Sequence, residues 1–164
     1  MMDDNEKRRR EWFRYYITRI EQGVILAPLS GMMYSCPCCA YPTLSERGSY
    51  NICPLCNWED DGQDDPNAYE VWGSPNGTYS LAEARENFKK NMIMYDSIDP
   101  RIGGGDSPLE KKAKKLMMEA FDQMLDETNP KTLNTLWEKV NENREILYKE
   151  VKRKVHEYEE QHKK

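Results

Sequence analysis

Two closely spaced pairs of cysteines constrain this chain more than any other feature. They form the motifs C-P-C-C at 36–39 and C-P-L-C at 53–56, separated by 13 residues. Two residues between paired thiolates let one tight turn direct both sulfurs at a single metal ion, and the intervening residues suffice to bring the second turn back to the first. Proline at the second position of each turn fixes φ, so less conformational entropy is lost when metal binds. We therefore expect a zinc ribbon with the ligands Cys36, Cys39, Cys53 and Cys56.

The expected metal site is structural rather than catalytic. Four thiolates around one Zn²⁺ leave no open position for water or substrate. Metal binding in comparable small sites contributes roughly 10–16 kcal/mol near neutral pH, so we expect one structural Zn²⁺ to control folding of this segment. The alternative is a redox-active C-x-x-C pair, but that motif normally occurs once, at a helix start in a βαβ unit. The fifth cysteine, Cys38, is assigned a structural or incidental role.

No signature of an enzyme or of a membrane protein accompanies the cysteines. Both histidines, His156 and His162, lie in the last predicted helix, so no catalytic dyad is evident. No stretch approaches the roughly 20 apolar residues of a membrane span, and the charged first ten residues differ from a signal peptide. Thiolates at this spacing in a reducing compartment are more often ligands than disulfides. The sequence therefore predicts a non-enzymatic, cytoplasmic protein.

The net charge of −5 is unevenly distributed along the chain. Residues 36–100 carry 4 basic and 11 acidic side chains, whereas residues 1–35 and 101–164 each have a net charge of +1. A module that grips nucleic acid needs Lys and Arg to replace the counterions on phosphates. Between Cys39 and Cys53 the only basic residue is Arg47, so the acidic segment disfavours nucleic-acid binding.

Apolar periodicity predicts helices on both sides of the cysteines. Between Trp12 and Ile20 apolar residues recur at intervals of three or four, which predicts a helix over 6–22 whose basic start, 7–10, is solvated. Residues 24–33 are expected to form a loop or a short strand.

The middle of the chain carries signals for a hairpin and one helix. Residues 41–44 and 49–52 flank the turn signal E-R-G, which predicts a β-hairpin between these two segments. Ser80 opens a capping box, so a helix is expected to run from there to about Asp96.

Three consecutive glycines at 103–105 indicate a linker over 101–108. A phosphate-binding loop is the alternative, but no Lys-Ser or Lys-Thr follows. Beyond the linker, two apolar stripes, the second interrupted only by Arg144, predict an antiparallel helical hairpin over 109–164. The N-terminal helix or a second chain would complete a small bundle, and the sequence leaves both open.

An acidic run follows the second cysteine pair, at 59–65. Carboxylates at alternate positions can bind Ca²⁺, but an EF-hand loop with Gly62 as its glycine would place its last ligand at Ala68, which cannot coordinate. A solvated loop or a partner-binding surface remains.

The segment from Cys36 to about Lys89 carries several specific motifs. They are C-P-C-C at 36–39, E-R-G at 46–48, Tyr50, I-C-P at 52–54, Cys56, W-E-D-D-G-Q-D-D-P at 58–66, N-G at 76–77, S-L at 80–81 and A-R-E-N-F at 84–88. With these motifs the segment resembles the cysteine-rich CPCC family of small, zinc-ribbon-like bacterial proteins. The resemblance includes the acidic run and implies no particular reaction. Ala40 departs from the family, which commonly has glycine there, and makes a left-handed turn costlier.

Together these patterns predict an α+β, mostly helical fold in four parts. Residues 1–35 form an N-terminal helix and lead-in, 36–100 a zinc ribbon with a short β-hairpin, 101–108 a linker, and 109–164 a helical hairpin.

The leading functional hypothesis is a zinc-stabilised protein-interaction module with an acidic binding surface. The predicted contact residues are Trp58, Glu59, Asp60, Asp61, Asp64, Asp65, Tyr69 and Trp72. Aromatic side chains beside acids suit a basic protein partner, and an immunity protein that covers a basic toxin is one form of this hypothesis. The alternative is a nucleic-acid-binding ribbon that uses lysines and arginines at 111–115 and 152–154. The oligomeric state stays open.

Overall fold

The computed structural model describes residues 3–23, 34–103 and 105–163 and has the α+β, mostly helical architecture that the sequence predicts. The elements are α1 (Asp4–Glu21), β1 (Tyr34–Ser35), β2 (Pro42–Leu44), a 3₁₀ turn (Asp65–Asn67), α2 (Leu81–Asn91), α3 (Pro100–Gly103), α4 (Pro108–Met124) and α5 (Pro130–Gln161). The chain divides into two compact units, Met1–Gly105 and Asp106–Lys164, which we call the cysteine-rich unit and the helical unit. The division lies inside the expected linker, part of which is the short helix α3. The segment 24–33, expected to be a loop or strand, lies outside the described residues.

Helix α1 begins where the side chain of Asp3 accepts a hydrogen bond from the backbone N–H of Glu6, at 2.8 Å. Its aromatic face is buried, and the ring of Phe13 lies 6.1 Å from the ring of Tyr41, next to the first cysteine pair. The N-terminal helix therefore packs on the cysteine-rich segment and belongs to the same compact unit.

A short antiparallel β-hairpin is present, but it joins other segments than predicted. β1 pairs with β2 across the first cysteine pair. The segment 49–52, the predicted partner of 41–44, instead pairs with residues after the second cysteine pair through the bridge between Ile52 and Glu59. The predicted pairing is wrong because each cysteine turn folds the chain back on itself and joins the residues on its own two sides.

Helix α2 starts at its Ser80 cap and buries Leu81, Ala84 and Phe88. It ends at Asn91, earlier than the predicted Asp96, because Met92 adopts a left-handed conformation with φ 60°. This end frees the following residues to fold back onto the second cysteine turn.

The helical unit is a hairpin of two antiparallel helices. A capping box between Ser107 and Glu110 starts α4, and Asn129 caps α5. The buried stripes of both helices meet, with the rings of Phe121 and Trp137 in edge contact at 5.6 Å. The buried apolar residues of this unit are Ala113, Met117, Ala120, Phe121, Met124, Leu133, Leu136, Trp137, Val140 and Leu147.

The polar interruption in the buried face of α5 lies one residue earlier than predicted. Asn143 is buried and Arg144 is exposed. The amide of Asn143 is satisfied by donating to the carbonyl of Lys139, at 2.8 Å. A helix has 3.6 residues per turn, so the buried face drifts away from a strict heptad position.

No helix among residues 3–23, 34–103 and 105–163 combines the length and the apolar character needed to cross a membrane.

Candidate metal centre

The first cysteine turn is closed by two backbone hydrogen bonds. The N–H of Ala40 donates to the carbonyl of Cys36 at 2.8 Å, and the N–H of Cys36 donates to the carbonyl of Tyr41 at 2.8 Å. Ala40 sits in the left-handed region with φ 70°, a conformation that costs an L-residue roughly 1–2 kcal/mol. The turn thus accepts strain at Ala40, where the resemblance leads us to expect glycine.

The second cysteine turn repeats this pattern. The N–H of Asn57 donates to the carbonyl of Cys53 at 2.9 Å, and the N–H of Cys53 donates to the carbonyl of Trp58 at 2.9 Å. Asn57 has φ 67°, which asparagine tolerates better than alanine. The two turns are therefore built alike and present their thiols in the same way.

The turns bring four thiols together at one buried point. The Sγ atoms of Cys36, Cys39, Cys53 and Cys56 lie within 4.8 Å of one another, and all four residues are buried. Two pairs join one turn to the other: Cys36 to Cys56 at 3.6 Å, and Cys39 to Cys53 at 3.7 Å. A tetrahedron with metal–sulfur bonds of about 2.3 Å has edges of about 3.8 Å, whereas a disulfide requires about 2.05 Å. The four predicted ligands therefore lie close enough to hold one metal ion.

The environment of the thiols differs among the four cysteines. Burial raises the pKa of the Cys36, Cys39 and Cys56 thiols. Burial acts in the same direction at Cys53, but hydrogen bonds from the other three thiols and from Thr43 place the pKa of Cys53 well below its usual range. Thr43 lies on β2, and its hydroxyl donates to the Cys53 sulfur at 3.1 Å. The site thus favours at least one thiolate through its own hydrogen bonds.

Two arginines hold the outer side of the first turn. Arg10 of α1 donates to the carbonyls of Pro37 at 2.8 Å and of Cys38 at 2.6 Å. Arg85 of α2 donates to the same Pro37 carbonyl at 2.9 Å. Arg10 is only 7% exposed, so the prediction that the basic run at 7–10 is solvated is wrong for this residue. Its interaction with a turn 27 residues away leaves no local signal in the sequence.

A buried carboxylate compensates the charge of Arg10. Glu6 pairs with Arg10 at 2.9 Å and with Lys89 of α2 at 2.7 Å. Burial acts against ionisation, but these two cations lower the pKa of Glu6 below its ordinary value. The ion pairs join α1, α2 and the first turn into one network.

Backbone contacts hold the second turn instead. The N–H of Met94 donates to the carbonyl of Cys56 at 2.8 Å. The side-chain amides of Asn87 and Asn91 hold this segment by donating to the carbonyls of Met94 at 2.9 Å and Tyr95 at 3.2 Å. The early end of α2 is what allows this contact.

Cys38 is buried, with 1% exposure, but it lies outside the group of four mutually close thiols. Its backbone carbonyl accepts the hydrogen bond from Arg10. Cys38 therefore contributes to the packing and anchoring of the first turn.

Part of the predicted binding surface is inside the protein. Trp58 and Asp60 are both 0% exposed, so the prediction that they contact a partner is wrong. The carboxylate of Asp60 accepts hydrogen bonds from Arg47 at 2.9 Å and from the N–H groups of Gly48 at 2.7 Å and Gly62 at 3.2 Å. The acidic run folds around this residue instead of remaining fully solvated.

Arginines also neutralise two further predicted contact residues. Asp64 pairs with Arg47 at 3.0 Å, and Asp65 pairs with Arg85 at 2.7 Å and with Arg14 at 3.1 Å. Burial opposes the effect, but the two guanidiniums lower the pKa of Asp65. These pairs reduce the charge that Asp64 and Asp65 offer to a partner.

The four other predicted contact residues are accessible as well and have no arginine partner among the residues that the structure describes. Glu59 and Asp61 are partly exposed, Tyr69 is 89% exposed and Trp72 is 45% exposed. Within the described part of the chain neither Glu59 nor Asp61 has a basic partner closer than 4 Å. Both residues approach Asn76, which accepts a hydrogen bond from the N–H of Glu59 and donates to the carboxylate of Asp61.

Several basic residues of the alternative nucleic-acid hypothesis take part in ion pairs. Lys114 is 4% exposed and pairs with Asp106 at 2.7 Å. Arg153 pairs with Glu150 and Glu157, and Lys154 pairs with Glu110. These pairs lower the charge available for phosphate groups.

Residues 34–98 match the model of the family described as Cysteine-rich CPCC, which covers about two fifths of the chain. The match spans both cysteine turns, the acidic run and α2, and it confirms the resemblance that the motifs predict. No curated protein and no solved structure is significantly similar to the chain. The segment 34–98 is thus similar to the cysteine-rich CPCC family, and it contains a four-cysteine cluster that supports metal binding.

Proposed function

We propose that the chain is a non-enzymatic protein-interaction module whose cysteine-rich unit is held together by one Zn²⁺ and whose contact surface is centred on residues 69–72. The observation that carries the contact surface is the exposure of three apolar side chains on this held loop: Tyr69 at 89%, Val71 at 54% and Trp72 at 45%.

The chemistry of the donor set supports zinc in a structural role. Four sulfur ligands at near-tetrahedral spacing suit Zn²⁺, whereas Mg²⁺ and Ca²⁺ require oxygen ligands. Four protein ligands close the coordination shell, so substrate has no position at the metal. The bound ion would stabilise the unit by fixing both turns and the elements anchored to them.

The exposed loop is held firmly at its base. Gln63 is 0% exposed, and its side-chain amide donates to the carbonyls of Asn67 at 3.1 Å and Glu70 at 2.8 Å. The N–H of Ala82 donates to the carbonyl of Ala68 at 2.8 Å. A preorganised loop loses little conformational entropy on binding, so its apolar side chains contribute more of their interaction energy to affinity.

Acidic groups accompany the aromatic side chains on this loop. Glu70 accepts a hydrogen bond from the indole N–H of Trp72 at 2.8 Å and has no basic partner within 4 Å among the described residues. The segment 59–61 adds Glu59 and Asp61. Aromatic side chains are favoured at the centre of interfaces, and acids at the rim attract a basic partner. We therefore propose a basic protein as the partner, and an immunity protein that covers a basic toxin is one form of this function.

The proposal is tested by comparing two single substitutions at exposed tyrosines. Tyr69→Ser removes the most exposed aromatic side chain of the loop. Tyr15→Ser is the control and removes the side chain of Tyr15 on α1, which is 64% exposed. Partners are captured quantitatively from host extract with the zinc-loaded protein, and each recovered protein is purified and titrated calorimetrically at low and high salt. We expect a basic protein whose affinity falls at least tenfold with Tyr69→Ser, stays unchanged with Tyr15→Ser and weakens with salt.

Equal affinity for the Tyr69→Ser and Tyr15→Ser proteins would contradict the proposed surface, and salt-independent binding would contradict the basic partner. Zinc content measured by plasma mass spectrometry should remain one ion per chain in both variants. Metal loss would show instead that the substitution disturbs the fold.

A further inference from the structure

The C-terminal half of α5 carries an apolar stripe that the helical unit does not bury. Its members, which we call the α5 stripe, recur at intervals of three, four and three residues on one helix face. They are Tyr148, Val151, Val155 and Tyr158, with exposures of 56%, 52%, 52% and 63%.

Helix α5 is much longer than the helix that packs against it. It has 32 residues and α4 has 17. The start of α4 lies level with the middle of the α5 stripe, because Ser107 donates to Glu150 at 3.0 Å and Glu110 pairs with Lys154. Within the helical unit, the end of α5 therefore continues beyond α4. Short helical segments without packing are marginal in water, so this segment needs a further apolar contact.

We propose that the α5 stripe binds the α5 stripe of a second copy of this chain, with the two helices parallel. The residues of the stripe have the spacing of the two core positions, a and d, of a two-stranded coiled coil. Tyr148 and Val155 are at the first of these positions, a, and Val151 and Tyr158 are at the second, d. Valine at the first position suits a two-stranded pair.

The charges beside the stripe select the parallel orientation. In the heptad notation abcdefg, Val155 is at position a, so Lys154 is at position g and Glu159 at position e. In a parallel coiled coil, a g residue faces the e residue five positions later on the other helix. Lys154 of one copy therefore faces Glu159 of the other. This arrangement occurs twice by symmetry. An antiparallel pair centred on the stripe would bring the basic residues 152–154 of both copies together, which costs free energy.

The intrachain partner of Lys154 is compatible with this contact. Its ammonium group pairs with Glu110, and its side chain is still 36% exposed. The carboxylate of Glu159 from the second copy would approach this exposed side. Each lysine would then lie between two carboxylates.

The stripe is tested by sedimentation equilibrium of the zinc-loaded full chain between about 1 and 200 μM. We expect a reversible dimer, and we expect Val151→Lys with Val155→Lys to weaken its association at least tenfold. The control is His156→Lys with Gln161→Lys, which adds the same charge at exposed positions of α5 outside the stripe. A monomer at every concentration, or equal weakening by both double variants, would overturn the proposal. In the monomeric case the stripe packs elsewhere on its own chain or on another partner.

The orientation is tested by two charge reversals at neighbouring positions. Glu159→Lys places a like charge opposite Lys154, whereas Glu160→Lys makes the same change at a position that points away from the core. We expect the first to weaken the dimer at least fivefold and the second to change it less than twofold. Equal effects, or a stronger dimer with Glu159→Lys, would rule out the parallel register. Circular dichroism of each variant checks that α5 remains helical.

Discussion

The two units of this chain achieve stability by different means. The cysteine-rich unit has strands of only two and three residues, and four cysteines of this unit converge at one buried point. The helical unit has no such cluster among its described residues and is held by the contact of two apolar stripes. The cysteine-rich unit combines buried aromatic and aliphatic side chains with specific sulfur and polar contacts at fixed distances, whereas the helical unit relies mainly on the apolar surface that it buries.

This difference determines how each unit responds to substitution. In the cysteine-rich unit Arg10 contacts two carbonyls of the first turn and one carboxylate, so a single side chain serves several elements. In the helical unit each buried residue contributes locally, in proportion to its size. Substitution of one cysteine ligand should therefore destabilise the whole cysteine-rich unit. Substitution of one buried apolar residue should lower the stability of the helical unit in proportion to the size of the group that is lost.

The largest expected effect is the loss of the metal centre through Cys53→Ser. Structural zinc contributes roughly 10–16 kcal/mol in comparable sites, so we expect the cysteine-rich unit to lose its fold and its zinc. Hydrogen exchange with mass spectrometry should show loss of protection in α1 and α2, with protection retained in α4 and α5. The control is Cys38→Ser, which should retain one zinc ion per chain. A protected, metal-free Cys53→Ser protein would contradict the dependence of this unit on metal.

The second effect concerns the core of the helical unit. Phe121 is 0% exposed and packs on Trp137, so Phe121→Ala should cost about 3–5 kcal/mol through lost burial and the cavity left behind. Hydrogen exchange in α4 and α5 measures the loss, and zinc content should not change. Leu109→Ala, at a position that is 47% exposed, should cost less than about 1 kcal/mol. If Phe121→Ala also released the zinc, the two units would not be independent.

A smaller and pH-dependent effect is expected from Glu110→Gln at the start of α4. Burial opposes ionisation, but Lys154 and the backbone N–H of Ser107 lower the pKa of Glu110. A carboxylate with a lowered folded-state pKa stabilises the fold above its unfolded pKa, and this stability is lost as pH falls through the folded-state pKa. We therefore expect Glu110→Gln to lower the free energy of unfolding of the helical unit by about 1 kcal/mol at pH 7, and we expect this difference from the unsubstituted protein to disappear in acid.

Hydrogen exchange of α4 at neutral and acidic pH, corrected for the intrinsic exchange rate, measures this difference. The matched control is Glu145→Gln, at an exposed position of α5. An equal cost at both pH values would assign the effect of Glu110→Gln to packing rather than to charge.

The smallest effect on stability is expected at the left-handed residue of the first cysteine turn, which is Ala40, whereas the second turn has Asn57 at this position. Ala40→Gly removes left-handed strain of roughly 1–2 kcal/mol, but it adds entropy to the unfolded chain and deletes a buried methyl group. The net gain in the free energy of unfolding should not exceed about 1 kcal/mol, as measured by denaturation of the zinc-loaded protein. A loss of more than about 1 kcal/mol would mean that the packing of the methyl group outweighs the strain.

The parts of the molecule that depend on local spacing could be predicted from the sequence. The four ligands follow from the two motifs, because a C-P-x-C turn fixes the directions of its own thiols. The start of α2 follows from Ser80, whose cap acts within three residues. Asp3 and Ser107 cap α1 and α4 equally locally, but the prediction from apolar periodicity missed these signals and placed both helix starts later.

The remaining features depend on contacts between distant segments. The residues at 49–52 tolerate a strand, but this does not identify their partner, and the hairpin was therefore assigned to the wrong segments. Arg10 occurs in a basic run that looks solvated until α1 packs on the first turn. Likewise, Trp58 and Asp60 occur in a polar stretch, and only the folded chain reveals that they are buried.

The compact spacing of the two cysteine turns has a consequence for biosynthesis. The four clustered cysteines lie between residues 36 and 56, so all of them are translated before α2 and before the helical unit. Arg10 already exists at that moment, whereas Arg85 and Met94 follow later. A metal ion that binds the nascent chain at this stage would be held by both cysteine turns before α2 exists, and α2 would then close over an occupied centre.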